Sequence, residues 1–206
     1  MFGWYERHVV PRIVRCGCGS EALDDYRKQV VPQAQGTVLE LGVGAGANLP
    51  FYDATKVKRL VGIEPSPELR TIAARAERAV GLDVAIQAGE GENLEFEDAS
   101  FDSIVCTFTL CSVTDPQRTL AEARRVLRPG GVLLFSEHGA APDAKVARWQ
   151  RRLDPLWSRI MGGCHITRNV CAHIEQHFAI DKHDALYQPE VPKLLGWMEW
   201  GRAVAR

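Results

Sequence analysis

The chain has 206 residues, 46% hydrophobic and 25% charged, which is enough apolar sequence for one domain with a sizeable buried core. Its formal net charge is −1, from 25 basic and 26 acidic residues, so no excess of positive charge indicates a nucleic-acid partner. No apolar run reaches the roughly 18 residues of a transmembrane helix, and the N-terminus lacks the apolar region of a signal peptide. These features predict a cytoplasmic globular protein without a transmembrane segment.

Short apolar runs alternate with amphipathic helical patterns between residues 37 and 139. Two helices are predicted, one over 66–81 that Ser66 caps and one over 116–131 that ends in a Pro-Gly-Gly turn. Alternating strands and helices predict parallel pairing in a doubly wound sheet, whose ligands bind at the carboxyl ends of the strands. The predicted buried strands are 37–43, 59–65, 83–89, a run within 100–113, and 132–139.

The remaining segments are predicted to be additions to a single domain over 1–206, with 37–139 as its core. Residues 1–36 predict a helical cap, which either packs on the core, covers the site as a lid, or lies on a membrane surface. Residues 140–176 predict a cap insertion and 177–206 a terminal pair of strands. The predicted fold class is α/β: a Rossmann-like, doubly wound, mostly parallel seven-stranded sheet with an antiparallel C-terminal strand and a helical cap.

The most informative stretch is the glycine-rich run at 40–48, which follows the first predicted strand. Its glycines allow a tight turn and a close approach of the backbone to a ligand. With Ala47, the run also fits the dinucleotide fingerprint G-x-G-x-x-A. Glu64, near the end of the second strand, suits the ribose hydroxyls of either cofactor type. The loop alone therefore leaves a dinucleotide and a nucleoside cofactor open.

Three further features favour the nucleoside. Glu40 lies two residues before the first glycine, where a carboxylate would repel a pyrophosphate but suits an amino acid and a sulfonium. The acidic turn Gly89-Glu90-Gly91 follows the third strand, where a carboxylate can accept a hydrogen bond from an adenine amino group. The run Leu127-Arg128-Pro129-Gly130-Gly131 precedes the fifth strand.

As an ordered set over 37–138, these motifs resemble the class I S-adenosylmethionine-dependent methyltransferases: E-x-G-x-G-x-G, Glu64, G-E-x-E-x-L with F-x-D-x-S-F-D, and V-L-R-P-G-G. More loosely, L-C-S-V-T-D-P, S-E-H-G and G-C-H-I-T-R resemble the methyltransferase-like thiol S-methyltransferases and their bacterial relatives. The vertebrate members carry a hydrophobic N-terminal anchor that this sequence does not show, which leaves only peripheral membrane contact open. The resemblance implies S-adenosylmethionine as cofactor, S-adenosylhomocysteine as product, and a small-molecule acceptor.

The resemblance also implies a role for each cofactor residue. The glycine loop holds the methionine part, with Glu40 near its amino group and Thr107 at its end. Glu64 takes the ribose hydroxyls, and Glu90 with the backbone of Gly91 meets the adenine. The full expected set is Glu40, Gly42, Gly44, Gly46, Asn48, Glu64, Ser66, Glu90, Gly91 and Thr107.

Methyl transfer requires positioning of the acceptor and exclusion of water, and a thiol with a pKa near ~8.5 needs only a modest electrostatic push. His138, at the end of the fifth strand, is a candidate general base or orienting residue, or else a polar residue satisfied in a loop. Cys111, just past the fourth strand, is either a functional residue or a buried apolar-like one. The cysteine and histidine spacings match no standard zinc pattern, so no metal is predicted.

The favoured function is methyl transfer to a small thiol. The alternatives are an O- or N-methyltransferase acting on a phenol, an amine or a lipid headgroup, a NAD-type oxidoreductase sharing the sheet, and a non-catalytic cofactor-binding protein. The sequence indicates no oligomeric state.

Overall fold

The computed structural model describes residues 3–77 and 81–205. Its strands are β1 (Gly36–Leu41), β2 (Val57–Ile63), β3 (Val84–Gln87), β4 (Phe101–Thr107), β5 (Leu127–His138), β6 (Phe178–Tyr187) and β7 (Trp197–Ala205). They form one seven-stranded sheet in the order β3-β2-β1-β4-β5-β7-β6. β1 to β5 pair in parallel, and β7 runs antiparallel to both β5 and β6. The predicted fold class is confirmed.

Seven helices accompany the sheet in the part of the chain that the structure describes. They are α1 (Trp4–His8), α2 (Val10–Gly17), α3 (Asp24–Val30), α4 (Pro67–Ala76), α5 (Pro116–Val126), α6 (Ala144–Ile160) and α7 (Val170–Ile174). Short 3-10 turns occur at Glu21–Leu23, Val31–Gln33 and Leu49–Phe51. The predicted final turn of α4, residues 78–80, lies outside the described residues.

The boundary between α5 and β5 differs from the prediction. The helix expected over 116–131 ends at Val126, and the strand begins at Leu127. Pro129 disfavours a helical conformation for Arg128, and buried Leu127 pairs with Phe101 of β4. Within the motif V-L-R-P-G-G, only Val126 belongs to the helix, and the residues from Leu127 onward begin the strand.

Alternating side chains of the central strands fill two apolar layers. Leu39 and Leu41 of β1 pack into one cluster, and Val38 packs into the other, because successive residues of a strand point to opposite faces. Each fully buried Leu or Val contributes about 1.5–3 kcal/mol. The two layers hold the strand ends rigidly, and the loops at those ends form the site.

The cap insertion carries an exposed apolar stripe along α6. Four of its side chains, spaced by three or four residues, are 39–60% exposed: Trp149, Leu153, Leu156 and Ile160. The Tyr5 hydroxyl of α1 donates to the carbonyl of Ile160 at 2.8 Å, which joins the N-terminal segment to this helix. Within 3–77 and 81–205, no helix has both the length and the hydropathy needed to cross a bilayer.

Candidate active site

A cavity of about 1900 Å³ opens at the carboxyl ends of the parallel strands. On one side lies what we call the strand wall: the loops after β1, β2, β3 and β4, together with His138 at the end of β5. Opposite lies the cap wall, formed by residues 8–19 around α2 and by residues 157–166 at the end of α6 and just after it. Three positions were considered for the N-terminal helix: packed on the core, over the site, or on a membrane surface. Helix α2 lies over the cavity.

The glycine loop presents open backbone at a single glycine. Gly42, Gly44 and Gly46 have φ of +70°, +55° and +86°, a left-handed conformation that glycine adopts without strain. A Cβ on Gly44 would meet nothing nearer than the carbonyl oxygen of Gly42 at 3.9 Å, so Gly44 faces open space. A Cβ on Gly42 would clash with the Thr109 side chain, and one on Gly46 would lie 2.8 Å from Leu49 Cδ1. Gly42 and Gly46 are therefore required for packing within the protein, and only Gly44 leaves room for a ligand.

Glu40 is buried at the end of β1 in a network of polar side chains. Its Oε1 accepts from Asn48 Nδ2 at 2.9 Å, and its Oε2 accepts from the Tyr52 hydroxyl at 2.7 Å. The same Asn48 nitrogen donates to Thr107 Oγ1 at 2.9 Å, which links the ends of β1 and β4. Burial raises the pKa of Glu40 to about 7, against the lowering effects of Tyr52, Asn48 and the charge of Arg27. Near neutral pH, a neighbouring cation would therefore change the charge on Glu40.

Glu64 follows β2 and holds the loop backbone. Its Oε2 accepts from Gly44 N at 3.1 Å and its Oε1 from Ser66 N at 2.9 Å. Burial raises the pKa of Glu64, and these two hydrogen bonds oppose that rise. The Ser66 hydroxyl accepts from Leu69 N at 3.4 Å and so caps α4. A carboxylate oxygen accepts more than one hydrogen bond, so Glu64 retains acceptor capacity toward the cavity.

The turn after β3 completes this part of the strand wall. Glu90 is exposed and pairs through its backbone with Asn93 in an isolated bridge. A Cβ on Gly91 would lie 2.8 Å from Thr119 Cγ2, so this position needs glycine to pack against α5.

The cavity wall brings most of the predicted site residues together: Glu40, Gly42, Gly44, Asn48, Glu64, Ser66, Glu90, Gly91, Thr107 and His138. Two predicted residues do not belong to it. Gly46 is buried inside its own loop, and Cys111 is fully buried behind the wall.

Two predicted residues, His138 and Cys111, lie beside Cys164, which sequence reasoning did not single out. We call this group the cysteine–histidine cluster: Cys111, His138 and Cys164. His138 Nε2 lies 3.0 Å from Cys164 Sγ. Burial lowers the pKa of His138, whereas the hydrogen bond with Cys164 and the charge of Glu137 raise it, and the net shift is upward. The hydrogen bond with Cys111 and burial both raise the pKa of Cys164. No sequence signal joined Cys164 to the other two residues, because the three come from distant segments of the chain.

Glu137 shapes the loop behind the cluster. It is fully buried, and its Oε1 accepts from the backbone nitrogens of Thr109 at 2.7 Å and Leu110 at 2.8 Å. Its Oε2 accepts from Cys111 N at 3.3 Å. Burial raises the pKa of Glu137, and these backbone donors oppose that rise. One carboxylate thus turns the chain after β4, where Phe108 has a φ of +53°.

Residues 39–135 match the model of the Methyltransferase domain family. Residues 39–135 thus form a methyltransferase domain, and its sheet order and ordered strand-end motifs are those of the class I S-adenosylmethionine-dependent methyltransferases.

Among characterised relatives, the chain is 40% identical to Thiol S-methyltransferase TMT1B of Rattus norvegicus over 145 residues, 68% of this chain and 58% of that protein. It is 32% identical to Phosphatidylethanolamine N-methyltransferase of Cereibacter sphaeroides over 120 residues, 57% of this chain and 58% of that protein. A solved SAM-dependent methyltransferase from Thermotoga maritima shares the fold, with a TM-score of 0.66, 24% identity and 98% of both chains covered. The chain spans less than two thirds of the length of these two curated relatives. The expected resemblance to the thiol S-methyltransferases is confirmed.

Proposed function

We propose that this chain transfers the methyl group of S-adenosylmethionine to the sulfur of a small thiol and releases S-adenosylhomocysteine. One observation carries the proposal. A single cavity has the glycine loop and its carboxylates on the strand wall, and it also contains the apolar cap wall and the edge of the cysteine–histidine cluster. Similarity to a thiol S-methyltransferase supports sulfur as the accepting atom.

The chemistry of the strand wall fits this cofactor. Gly44 offers open backbone to the amino-acid part, and Glu40 is a buried acceptor for its ammonium group. Glu64 has acceptor capacity for the ribose hydroxyls. We assign the adenine to the turn of Glu90 and the methionine end to Thr107. The complete proposed set adds Gly42, Asn48, Ser66 and Gly91, with Gly46 supporting the loop from inside.

When bound, S-adenosylmethionine supplies a methyl group on a sulfonium, which is open to in-line attack. The acceptor thiol would release its proton to His138 or to solvent and form the new bond to the methyl carbon, and the electron pair of the broken bond would stay on the sulfur of the cofactor. The cap wall excludes water from this step with apolar side chains such as Val10, Val14 and Ile166. His138 is a polar side chain at the boundary between the strand wall and the cap wall, and we assign it to the acceptor. Cys111 is buried behind the wall beside His138 and Cys164, and we assign it a supporting role there.

A lipid headgroup amine is the second candidate acceptor. The exposed stripe on α6 ends beside residues 157–159, which line the cavity, and arginines flank it at positions 148, 151, 152 and 159. Such a face suits peripheral contact with an anionic membrane. Similarity to a phosphatidylethanolamine N-methyltransferase also supports methyl transfer to a lipid headgroup amine. The cytoplasmic location stays a prediction.

The test is S-adenosylhomocysteine formation with a panel of small apolar thiols, phenols, free amines and phosphatidylethanolamine vesicles. We expect selective turnover of a thiol. Turnover only of the vesicles would replace the thiol with the lipid amine. Tight cofactor binding without turnover of any acceptor would leave a non-catalytic cofactor-binding protein.

His138→Ala separates the acceptor side from the cofactor side. We expect kcat/KM for the thiol to fall by about 100-fold, in the range of general acid–base contributions, with the Kd for the cofactor nearly unchanged. Unchanged kcat/KM in a folded variant would remove His138 from the reaction.

A further inference from the structure

The cysteine–histidine cluster has the composition and the spacing of a metal site. One ligand atom from each of Cys111, His138 and Cys164 lies within 4.8 Å of the other two. In a tetrahedral zinc site with two sulfurs and one nitrogen, bond lengths of about 2.0–2.3 Å put the ligand atoms roughly 3.3–3.8 Å apart. The observed spacing reaches this arrangement through side-chain adjustments of about 1 Å, without movement of the strands.

The backbone holds the three segments of the cluster together. His165 N donates to Cys111 O at 2.8 Å, which fixes the turn carrying Cys164 against the loop after β4. Glu137 accepts from Cys111 N and is the neighbour of His138 in β5. All three ligands are thus positioned by hydrogen bonds of the fold, as expected for a site that must keep its geometry.

We propose that Cys111, His138 and Cys164 bind Zn²⁺, and that the open fourth position takes the sulfur of the acceptor thiol. The role of the acceptor thiol in this inference rests on the proposed function, whereas the binding of the metal does not. Two thiolates and one imidazole suit Zn²⁺. Three protein ligands with one open position are the pattern of catalytic zinc sites, as opposed to closed four-ligand structural ones. His138 and Cys164 line the cavity, so the open position faces the space where the acceptor would lie.

The metal would replace the general base. An acceptor thiol that coordinates Zn²⁺ loses its proton to solvent and becomes a bound thiolate. A lone pair of that sulfur forms the new bond to the methyl carbon, and the sulfonium sulfur of the cofactor keeps the pair of the broken bond. The product thioether is neutral and a poorer zinc ligand than a thiolate, so it leaves. No oxidant or reductant is required.

A second group in the described residues, Cys171, His183 and Glu199, also lies within ligand distance of one another. It contains one thiol, its histidine side chain is 38% exposed and pairs with Glu199 at 3.6 Å, and none of its members lines the cavity. It therefore has no access to the acceptor and serves as the internal control.

The experiment uses untagged, reduced protein. The zinc content after purification is measured, the metal is removed with a chelator, and the apo-protein is titrated with Co²⁺. We expect one equivalent of Co²⁺ with the visible bands of a tetrahedral site and thiolate-to-metal charge-transfer absorption. Cys111→Ser and Cys164→Ser should each weaken binding by about 100-fold or more and remove part of the charge-transfer band. Cys171→Ser should leave the titration unchanged, and circular dichroism verifies that each variant is folded.

Absence of the charge-transfer band in wild type, or its persistence at full intensity and unchanged affinity in both cluster variants, would overturn the zinc site. Adding the acceptor thiol should perturb the bands, because a third thiolate joins the metal. If the metal binds at the cluster but no thiol perturbs it and none is methylated, the thiol function fails while the metal site stands. If thiols are methylated at an undiminished rate by metal-free protein, the proposed function stands and the catalytic role of the metal fails.

Discussion

The two walls of the cavity are built in different ways. The strand wall takes its polar groups from the ends of consecutive strands, and its carboxylates already bond within the protein, Glu64 to Gly44 N and Glu40 to Asn48. The cap wall consists mainly of apolar side chains from two segments outside the sheet, with Cys164 facing His138 across the boundary. Under the proposed function, the first wall is a preorganised receptor for the cofactor, and the second is the part that selects the acceptor.

Under the proposed function, this difference separates the residues that bind the cofactor from those that select the acceptor. A cofactor shared by many methyltransferases needs the same donors and acceptors in each of them, and strand ends supply these at fixed spacing. An acceptor that differs between enzymes needs a surface free to vary, and cap segments supply that without disturbing the sheet.

The largest expected effect is the loss of cofactor affinity when the glycine loop of the strand wall is changed. Gly44→Val places a branched side chain in the open space that a Cβ there would enter, and we expect cofactor affinity to fall at least ~100-fold by calorimetry. Gly130→Val is the matched control, since Gly130 also has a positive φ, +81°, with nothing near its Cβ. Both variants should lose about 1–2 kcal/mol of stability from backbone strain. Equal cofactor affinity in the two variants would contradict the assignment of the loop.

Glu137→Gln tests whether the two walls depend on one buried carboxylate. The amide nitrogen cannot accept a hydrogen bond, so at least one backbone N–H of the loop at 109–111 is left unpaired. We expect the free energy of unfolding in urea to fall by roughly 2 kcal/mol. Glu97→Gln, at an exposed position, should change it by less than ~0.5 kcal/mol. A stability loss no greater than that of the control would show that Glu137 is not needed for the turn.

The pH dependence of cofactor binding should report on Glu40. The pKa of Glu40 is raised to about 7 in the protein, and a cationic ammonium beside it favours the ionised form. Cofactor affinity should therefore weaken as the pH falls below about 7, by up to tenfold per unit, and level off above it. Glu40→Gln should bind more weakly at pH 8 and lose this slope, whereas Glu97→Gln should retain it. The same slope in wild type and Glu40→Gln would assign the titration to another group.

The protein without cofactor should show the opposite trend. Because the folded pKa of Glu40 is raised from 4.5, the folded state binds more protons than the unfolded state between pH 4.5 and about 7. This contribution is therefore fully present at low pH and is lost as the pH rises through that window. In Glu40→Gln, the free energy of unfolding in urea should lack this pH-dependent contribution.

The smallest effect is expected at Ser66, whose hydroxyl caps α4. Ser66→Ala should lower the free energy of unfolding by about 1 kcal/mol. Its cofactor affinity should change by less than about tenfold, the value of one hydrogen bond. Ser66→Thr retains the hydroxyl and should restore stability. A loss of affinity beyond tenfold, at normal stability, would make Ser66 a principal cofactor contact.

The sequence by itself determined the sheet class, the glycine loop and the acidic groups at the end of β1 and after β2 and β3, because strand period, turn chemistry and short motif spacing are local properties of the chain. It misplaced the end of α5, where pairing of Leu127 with Phe101 outweighs the helical pattern of the preceding residues. Only the tertiary structure decided that Gly46 lies inside its loop, that α2 covers the cavity, and that Glu137 turns the chain after β4. It alone brought together Cys111, His138 and Cys164, because contacts between residues so far apart along the chain depend on how the strands and the cap pack and leave no periodic trace in the sequence.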